Sequence, residues 1–285
     1  MRHPILIPLC FTGALVLSAC GESNKADVNR TLKDLDVIDE SNLSSIMLTV
    51  ADPNEAVAYF NKASANNPDR IDLHRGLAKS LIRAKRPSEG VIAWRKVVDS
   101  PDSTSEDRVE LADALIRAGE WEKAKAELNR VPPTHETYKR YRLEAMIADS
   151  NKNWKKADSF YETAVGLTTT PSGVLNNWGY SKLTRSNYKE AERLFAEAIT
   201  YDKNLFTAKN NLVLARGAQR NYELPVIPMT QVERAYLLHT LALSAIKKGD
   251  VATGKSLLKD AVDTHPQHFD AAVRSLRALE NNASN

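Results

Sequence analysis

A period of about 34 residues runs through the chain and constrains its fold more than any other feature. Each period carries a small residue, and a bulky apolar residue follows it four positions later. The small residues are Ala56, Gly90, Ala124, Ala157, Ala191 and Gly254, and the bulky residues are Phe60, Trp94, Leu128, Tyr161, Phe195 and Leu258. Three positions further on lie Ala63, Val97, Val131, Ala164, Ala198 and Ala261. Because spacings of four and seven fall on one face of a helix, the pattern predicts one helix per period with an interdigitating face.

The composition favours an all-α fold. Ala, Leu, Lys, Glu and Arg dominate the chain, and these residues have high helix propensity. The chain holds only 11 Gly and few long β-branched runs, which argues against a sheet protein.

A period of this length resembles the tetratricopeptide repeat across residues 37–280. That repeat is a helix–turn–helix unit with a first and a second helix, and the residues above belong to the second helix. The clearest repeat lies at 172–205, with Leu175, Trp178, Gly179, Tyr188, Ala191, Phe195 and Ala198 at the expected offsets. The resemblance implies an α-solenoid, that is, a superhelix of stacked repeats. Its repeats are predicted at about 37–70, 71–104, 105–137, 138–171, 172–205 and 235–268, with a last helix at 269–280 and a frayed tail at 281–285. The four tryptophans stand at repeat-consensus positions and are predicted to lie in the core: Trp94, Trp121, Trp154 and Trp178.

One repeat is interrupted at residues 223–231. Residues 206–219 predict a first helix, but Pro225 and Pro228 fall where the second helix should begin. Proline removes a backbone donor and clashes with the preceding turn, so an extended loop is predicted at 223–230. This loop carries Val226, Ile227 and Met229. They either fold back onto the repeats or form a docking segment for a partner.

The N-terminus has the pattern of a signal peptide that ends in cysteine. The apolar run at 5–17 is shorter than the roughly 20 residues that a membrane-spanning helix needs. Residues 17–20, Leu-Ser-Ala-Cys, resemble the bacterial lipobox. The resemblance implies cleavage between Ala19 and Cys20 and a covalent lipid on Cys20. An ordinary secretory signal with a chance cysteine is the alternative.

Cleavage there makes 1–19 the signal peptide and 20–36 a lipidated N-terminus and tether. Gly21 follows the cysteine, whereas Asp at this position tends to retain lipoproteins in the inner membrane. The expected location is therefore the periplasmic face of the outer membrane of a Gram-negative bacterium.

Charge and chemistry argue against nucleic acid and against catalysis. Loss of residues 1–19 removes only Arg2 among the charges, so 38 Lys and Arg remain against 36 Asp and Glu. No phosphate loop, nucleophile elbow or zinc-type pair is found, and His265 and His268 alone are a weak metal pattern. The sequence thus predicts no enzyme, no metal, no small-molecule substrate and no cofactor besides the lipid.

The remaining expectation is protein binding in the groove that the first helices line. Two Asn pairs stand 34 residues apart, in register on adjacent first helices, and Asn side chains can hydrogen-bond a peptide backbone. Tyr180 and Lys209 are expected to flank them. The predicted groove residues are Asn176, Asn177, Tyr180, Lys209, Asn210 and Asn211. Asn is also common at this repeat position without any ligand.

Residues 175–183 and 210–215, Leu-Asn-Asn-Trp-Gly-Tyr-Ser-Lys-Leu and Asn-Asn-Leu-Val-Leu-Ala, are similar to the TadD family of tight-adherence pilus lipoproteins. That resemblance implies an outer-membrane scaffold, pilotin-like for a secretin subunit of the Flp (type IVb) pilus export apparatus. The alternative is a scaffold in general outer-membrane protein assembly or in another envelope complex.

Overall fold

The structure is a computed structural model that describes residues 43–282 of the chain. The predicted signal peptide at 1–19, the lipidation site Cys20, the tether at 20–36 and the end of the predicted tail lie outside the described residues. Within 43–282 the chain forms fourteen helices and no strand, so the predicted all-α fold is confirmed. The helices are α1 (43–49), α2 (Pro53–Asn66), α3 (Ile71–Arg83), α4 (Pro87–Val98), α5 (Ser105–Arg117), α6 (Trp121–Leu128), α7 (Tyr138–Ser150), α8 (Trp154–Gly166), α9 (Ser172–Thr184), α10 (Tyr188–Tyr201), α11 (Phe206–Ala218), α12 (Gln231–Lys247), α13 (Val251–Thr264) and α14 (Asp270–Asn282).

The helices group into two compact units that divide between Arg86 and Pro87. The first unit contains α1, α2 and α3. Phe60 of α2 lies against Gly76 of α3 so closely that a Cβ there would be 2.3 Å from the ring. The Arg83 guanidinium donates to the carbonyls of Met47 and Ala51 at 2.9 and 3.0 Å, which ties the end of α3 to the end of α1.

The second unit contains α4 to α14, in which first and second helices alternate except after α11, where α12 follows as another first helix. The first helices α5, α7, α9, α11 and α12 contact one another in sequence. The repeat positions that predicted the packing face are buried, as Tyr161 and Phe195 show with 1% and 0% exposure. The Phe195 ring of α10 lies against Gly179 of α9, and a Cβ at Gly179 would be only 2.7 Å from that ring.

A residue with left-handed backbone geometry stands two positions after the end of six first helices, in the turn that follows each of them. These residues have φ between 57° and 87° and are Lys85, Gly119, Lys152, Ser186, Arg220 and Gly249. Such a residue at the C-terminal end of a helix satisfies the last carbonyls by backbone hydrogen bonds. Arg220 adopts the conformation after α11 although no second helix follows it, so the interrupted repeat keeps its turn.

Helix α6 is shorter than the repeat pattern predicts. It ends at Leu128, and Val131, which we expected on the same helical face, is buried beyond the helix end. Pro132 and Pro133 explain the difference, because proline disfavours helical geometry in the preceding residue and offers no N–H to a carbonyl one turn earlier.

Residues 221–230 form the predicted non-helical loop, and α12 then begins at Gln231, four residues before the expected repeat start. Arg220 and Tyr222 both hydrogen-bond the carboxylate of Asp250, in the turn before α13. The loop therefore occupies the place of the missing second helix and is held to the next repeat.

The apolar side chains of this loop mostly pack inward. Ile227 lies against the cluster around Phe195, and Met229 lies against the cluster that includes Leu237. Val226 is fully exposed. Ile227 and Met229 are thus half-buried against the repeats, which favours the fold-back alternative for them, and the docking interpretation stays a prediction.

Candidate functional site

A cavity of about 500 Å³ opens among α6, α7, α8, α9 and α11 of the second unit. Three first helices form its wall, and second-helix residues of α6 and α8 complete it. Met146 of α7, Tyr180 of α9 and Thr207 of α11 are among the lining residues. This cavity is called the aromatic pocket below, because four aromatic residues line it: Trp121, Trp154, Tyr161 and Tyr180.

Trp121 and Trp154 are the first residues of α6 and α8, and both line the aromatic pocket. They are half-buried, so our prediction that they lie in the core is wrong. A residue at the first position of a second helix directly follows the turn and stands beside the first-helix wall. Trp94 is 1% exposed and does lie in the core.

The Trp154 ring has a fixed neighbour on one face. The guanidinium carbon of Arg185 lies 5.5 Å from the centre of the ring, which is a cation–π distance. Arg185 also pairs with the carboxylate of Asp158, which accepts a 2.7 Å hydrogen bond from the Trp178 indole N–H. This network holds the Trp154 side of the pocket in place.

Asp149 joins three helices within the pocket. Its Oδ1 accepts a hydrogen bond from Ser181 Oγ at 2.7 Å, and its Oδ2 accepts one from the Tyr161 hydroxyl at 3.0 Å. Burial raises the pKa of Asp149 despite these two hydrogen bonds. Burial, together with the adjacent Asp149 charge, raises the pKa of Tyr161, so this phenol stays protonated and continues to donate.

Four of the six predicted groove residues line the aromatic pocket: Asn176, Asn177, Tyr180 and Asn211. The Asn211 amide donates to Asn176 Oδ1 at 3.1 Å, and the Asn177 amide contacts Met146 Sδ at 3.4 Å. Asn210 is not among the lining residues, and its Oδ1 accepts from Thr240 Oγ1 of α12 at 2.7 Å. The structure thus brings the first Asn pair to the pocket and divides the second pair.

Lys209 does not flank the groove as predicted. It is 2% exposed, and its ammonium group lies 2.9 and 3.0 Å from the two carboxylate oxygens of Glu233 in α12. Burial opposes ionisation of Glu233, but hydrogen bonds from the Thr230 N–H and from Lys209 hold its pKa below the ordinary value. Lys209 is therefore a structural residue that joins α11 to α12 across the interrupted repeat.

The sequence pattern did not indicate four of the residues that line the pocket: Trp121, Met146, Asp149 and Trp154. One signal was present, because the two tryptophans stand 33 residues apart at the same repeat position. Asp149 gave no signal, since only the fold brings it to Tyr161 and Ser181.

Residues 43–282 contain neither a candidate metal site nor a candidate membrane-spanning helix. No group of three or more His, Cys, Asp or Glu side chains there could hold a metal ion. None of the helices in that range combines the length and apolar character needed to cross a bilayer.

The structure is similar to solved tetratricopeptide-repeat proteins. A tetratricopeptide repeat protein from Parabacteroides merdae aligns with a TM-score of 0.54 at 13% identity, covering 87% of this chain and 96% of that one. A chain of the APC/C hetero-tetramer Cut9-Hcn1 aligns with a TM-score of 0.60 at 14% identity, covering 83% of this chain. The human IFIT1 dimer with PPP-AAAA aligns with a TM-score of 0.56 at 16% identity, covering 80% of this chain.

This chain spans 48% of the length of the matched Cut9-Hcn1 chain and 59% of the IFIT1 chain. No family model and no curated protein sequence matches it. At these identities the likenesses establish the fold, which is that of the tetratricopeptide repeat, as predicted from the sequence.

We expect Glu233→Gln to destabilise the protein by about 3 kcal/mol at pH 7, because it leaves the buried Lys209 ammonium without its counter-ion. Gln at position 233 preserves the capping box with Thr230, so the loss of stability reflects the removed carboxylate charge. Denaturant unfolding measures it, with Glu197→Gln as control, since that exposed pair with Arg193 contributes less than about 1 kcal/mol.

The lowered pKa of Glu233 determines how the free energy of unfolding depends on pH. The stabilisation that ionised Glu233 gives the folded protein is complete above its ordinary pKa of 4.5. It is lost as the pH falls through the lower pKa that Glu233 has in the folded protein. The difference between wild type and Glu233→Gln should shrink at acidic pH. Equal stability of the two proteins at pH 7 would contradict the buried ion pair.

Proposed function

We propose that this chain is a non-enzymatic scaffold that binds an extended segment of a partner protein in the aromatic pocket. The observation that carries the proposal is the pocket itself, in which Trp121, Trp154 and Tyr180 leave apolar surface open to solvent beside amide side chains. Aromatic side chains in a concavity with a few placed polar groups are typical of binding sites, and aromatic residues dominate binding energy at interfaces.

The amides of α9 offer hydrogen bonds to a peptide backbone. Asn176 uses its oxygen to accept from Asn211, and its amide nitrogen has no partner among the described residues. Asn177 makes only the weak contact with Met146 through its nitrogen, so its oxygen remains an acceptor. One donor and one acceptor on adjacent residues match the alternating groups of an extended chain.

The finer proposal concerns location and partner. The lipobox supports lipidation of Cys20, and Gly21 supports placement at the periplasmic face of the outer membrane. The similarity of residues 175–183 and 210–215 to the TadD family supports a secretin subunit of the tight-adherence pilus as the partner. In this proposal the scaffold acts like a pilotin, carrying the bound subunit to the outer membrane for assembly.

A pull-down from membranes tests the pocket and identifies the partner. Tyr180→Ala should lower partner recovery about tenfold, which corresponds to about 1.4 kcal/mol of lost aromatic contact. Tyr201→Ala is the matched control, because the two tyrosines are 54% and 55% exposed and Tyr201 does not line the pocket. Equal loss in both variants, or in neither, would contradict binding in the pocket.

The identity of the recovered protein decides the finer proposal. A secretin subunit, together with loss of secretin multimers and surface pili on gene deletion, supports the pilotin-like role. Recovery of porins or barrel-assembly subunits, with depleted porins on deletion, would replace that role with general outer-membrane assembly.

The lipid anchor has its own test. Cys20→Ser should move the protein from the outer-membrane fraction to the soluble periplasmic fraction and abolish labelling by radioactive palmitate. Partner binding by the purified variant should remain, because the pocket lies far along the chain from residue 20. A variant that still fractionates with the outer membrane and takes up label would contradict lipidation at this cysteine.

A further inference from the structure

The aromatic pocket contains a single charged side chain among its lining residues, and that side chain is an acid. Asp149 stands among aromatic rings, a thioether, amides and hydroxyl groups, and no lysine or arginine lines the cavity. A cavity with one carboxylate and no cation of its own is electrostatically suited to a positively charged occupant.

The charge of Asp149 has no directly paired cation among the described residues. Its two hydrogen-bond donors, Ser181 and Tyr161, are neutral hydroxyl groups. Arg185 of α9 is close enough to act electrostatically on Asp149, but it forms its ion pair with Asp158 of α8. Arg142 of α7 acts on the neighbouring Tyr161 and lies 4.0 Å from Asp113 of α5.

The aromatic rings add a second attraction for a cation. The faces of Trp and Tyr rings carry negative electrostatic potential and attract ammonium and guanidinium groups within about 6 Å. Arg185 already uses one side of the Trp154 ring in this way. Trp121, Trp154 and Tyr180 line the same cavity as the Asp149 carboxylate.

We propose that the pocket accepts a lysine or arginine side chain of the bound segment, with Asp149 as its counter-ion and the rings of Trp121, Trp154 and Tyr180 around it. This inference rests on the proposed function, because it assigns the chemistry of the residue that the partner inserts. It also gives the pocket a selectivity for basic segments over purely apolar ones.

Three peptides that differ in one side chain test the inference. They are Ac-Ala-Ala-Arg-Ala-Ala-amide, its citrulline counterpart of the same shape without charge, and its leucine counterpart. Titration into the full lipidated protein in detergent, followed by tryptophan fluorescence, gives the dissociation constants. The arginine peptide should bind at least fivefold more tightly than the citrulline peptide.

Asp149→Asn should bring the arginine peptide to within twofold of the citrulline peptide. Asp260→Asn is the control for the same change of charge, because Asp260 is exposed on α13 and does not line the pocket. The pH supplies a test without mutation: protonation of Asp149 on acidification should weaken arginine binding and leave citrulline binding unchanged.

The outcomes separate this inference from the proposed function. If the leucine peptide binds most tightly and Asp149→Asn leaves it unaffected, the pocket takes an apolar side chain and the cationic inference is overturned while the scaffold proposal stands. If none of the peptides binds and Tyr180→Ala leaves partner recovery unchanged, both are overturned.

Discussion

The two helices of a repeat pack at such close range that a glycine of the first helix lies against an aromatic ring of the second. Where α9 meets α10, Gly179 leaves room for the Phe195 ring, and any Cβ at Gly179 would overlap that ring. The same arrangement pairs Gly76 with Phe60 in the first unit. Since the rings of the second helices fill these gaps, other faces of the first helices are left for the solvent. The aromatic pocket forms on such a face.

Asp149 connects this packing to the site. Its carboxylate accepts one hydrogen bond from a hydroxyl group of α8 and another from a hydroxyl group of α9, so three helices meet at one charged group. A buried hydrogen-bonded carboxylate holds its neighbours in position, and in the proposed binding mode the same carboxylate attracts the basic side chain of the partner. One residue thus links the stability of the pocket wall to what the pocket can bind.

The repeat architecture was predictable because its signal is local and recurs. Ala157 and Tyr161, or Ala191 and Phe195, lie four residues apart on one helix, and that spacing alone identifies the buried face. The interruption at 221–230 was also predictable, because Pro225 and Pro228 fall three residues apart, and proline in a helix interior removes a backbone donor and clashes with the preceding turn. Pro132 and Pro133 carried the same information for the short α6, and the repeat pattern obscured it.

The composition of the pocket was only partly predictable. Tyr180 and the first Asn pair were expected on the groove wall from their repeat positions. Lys209 shares a helix with Asn211, but its partner Glu233 lies beyond the interrupted repeat, and no repeat register connects the two. Asp149 acquires its role only from residues on two other helices. Sequence periodicity therefore does not predict contacts between side chains of different repeats that do not share a repeat position.

The proposed occupant of the aromatic pocket is a segment of a partner protein. Photo-crosslinking in living cells tests it most directly, with benzoylphenylalanine placed at position 180 or, as control, at position 201. We expect one discrete crosslinked product from position 180 and none of the same size from position 201. Identical products from both positions, or no product from position 180, would contradict it.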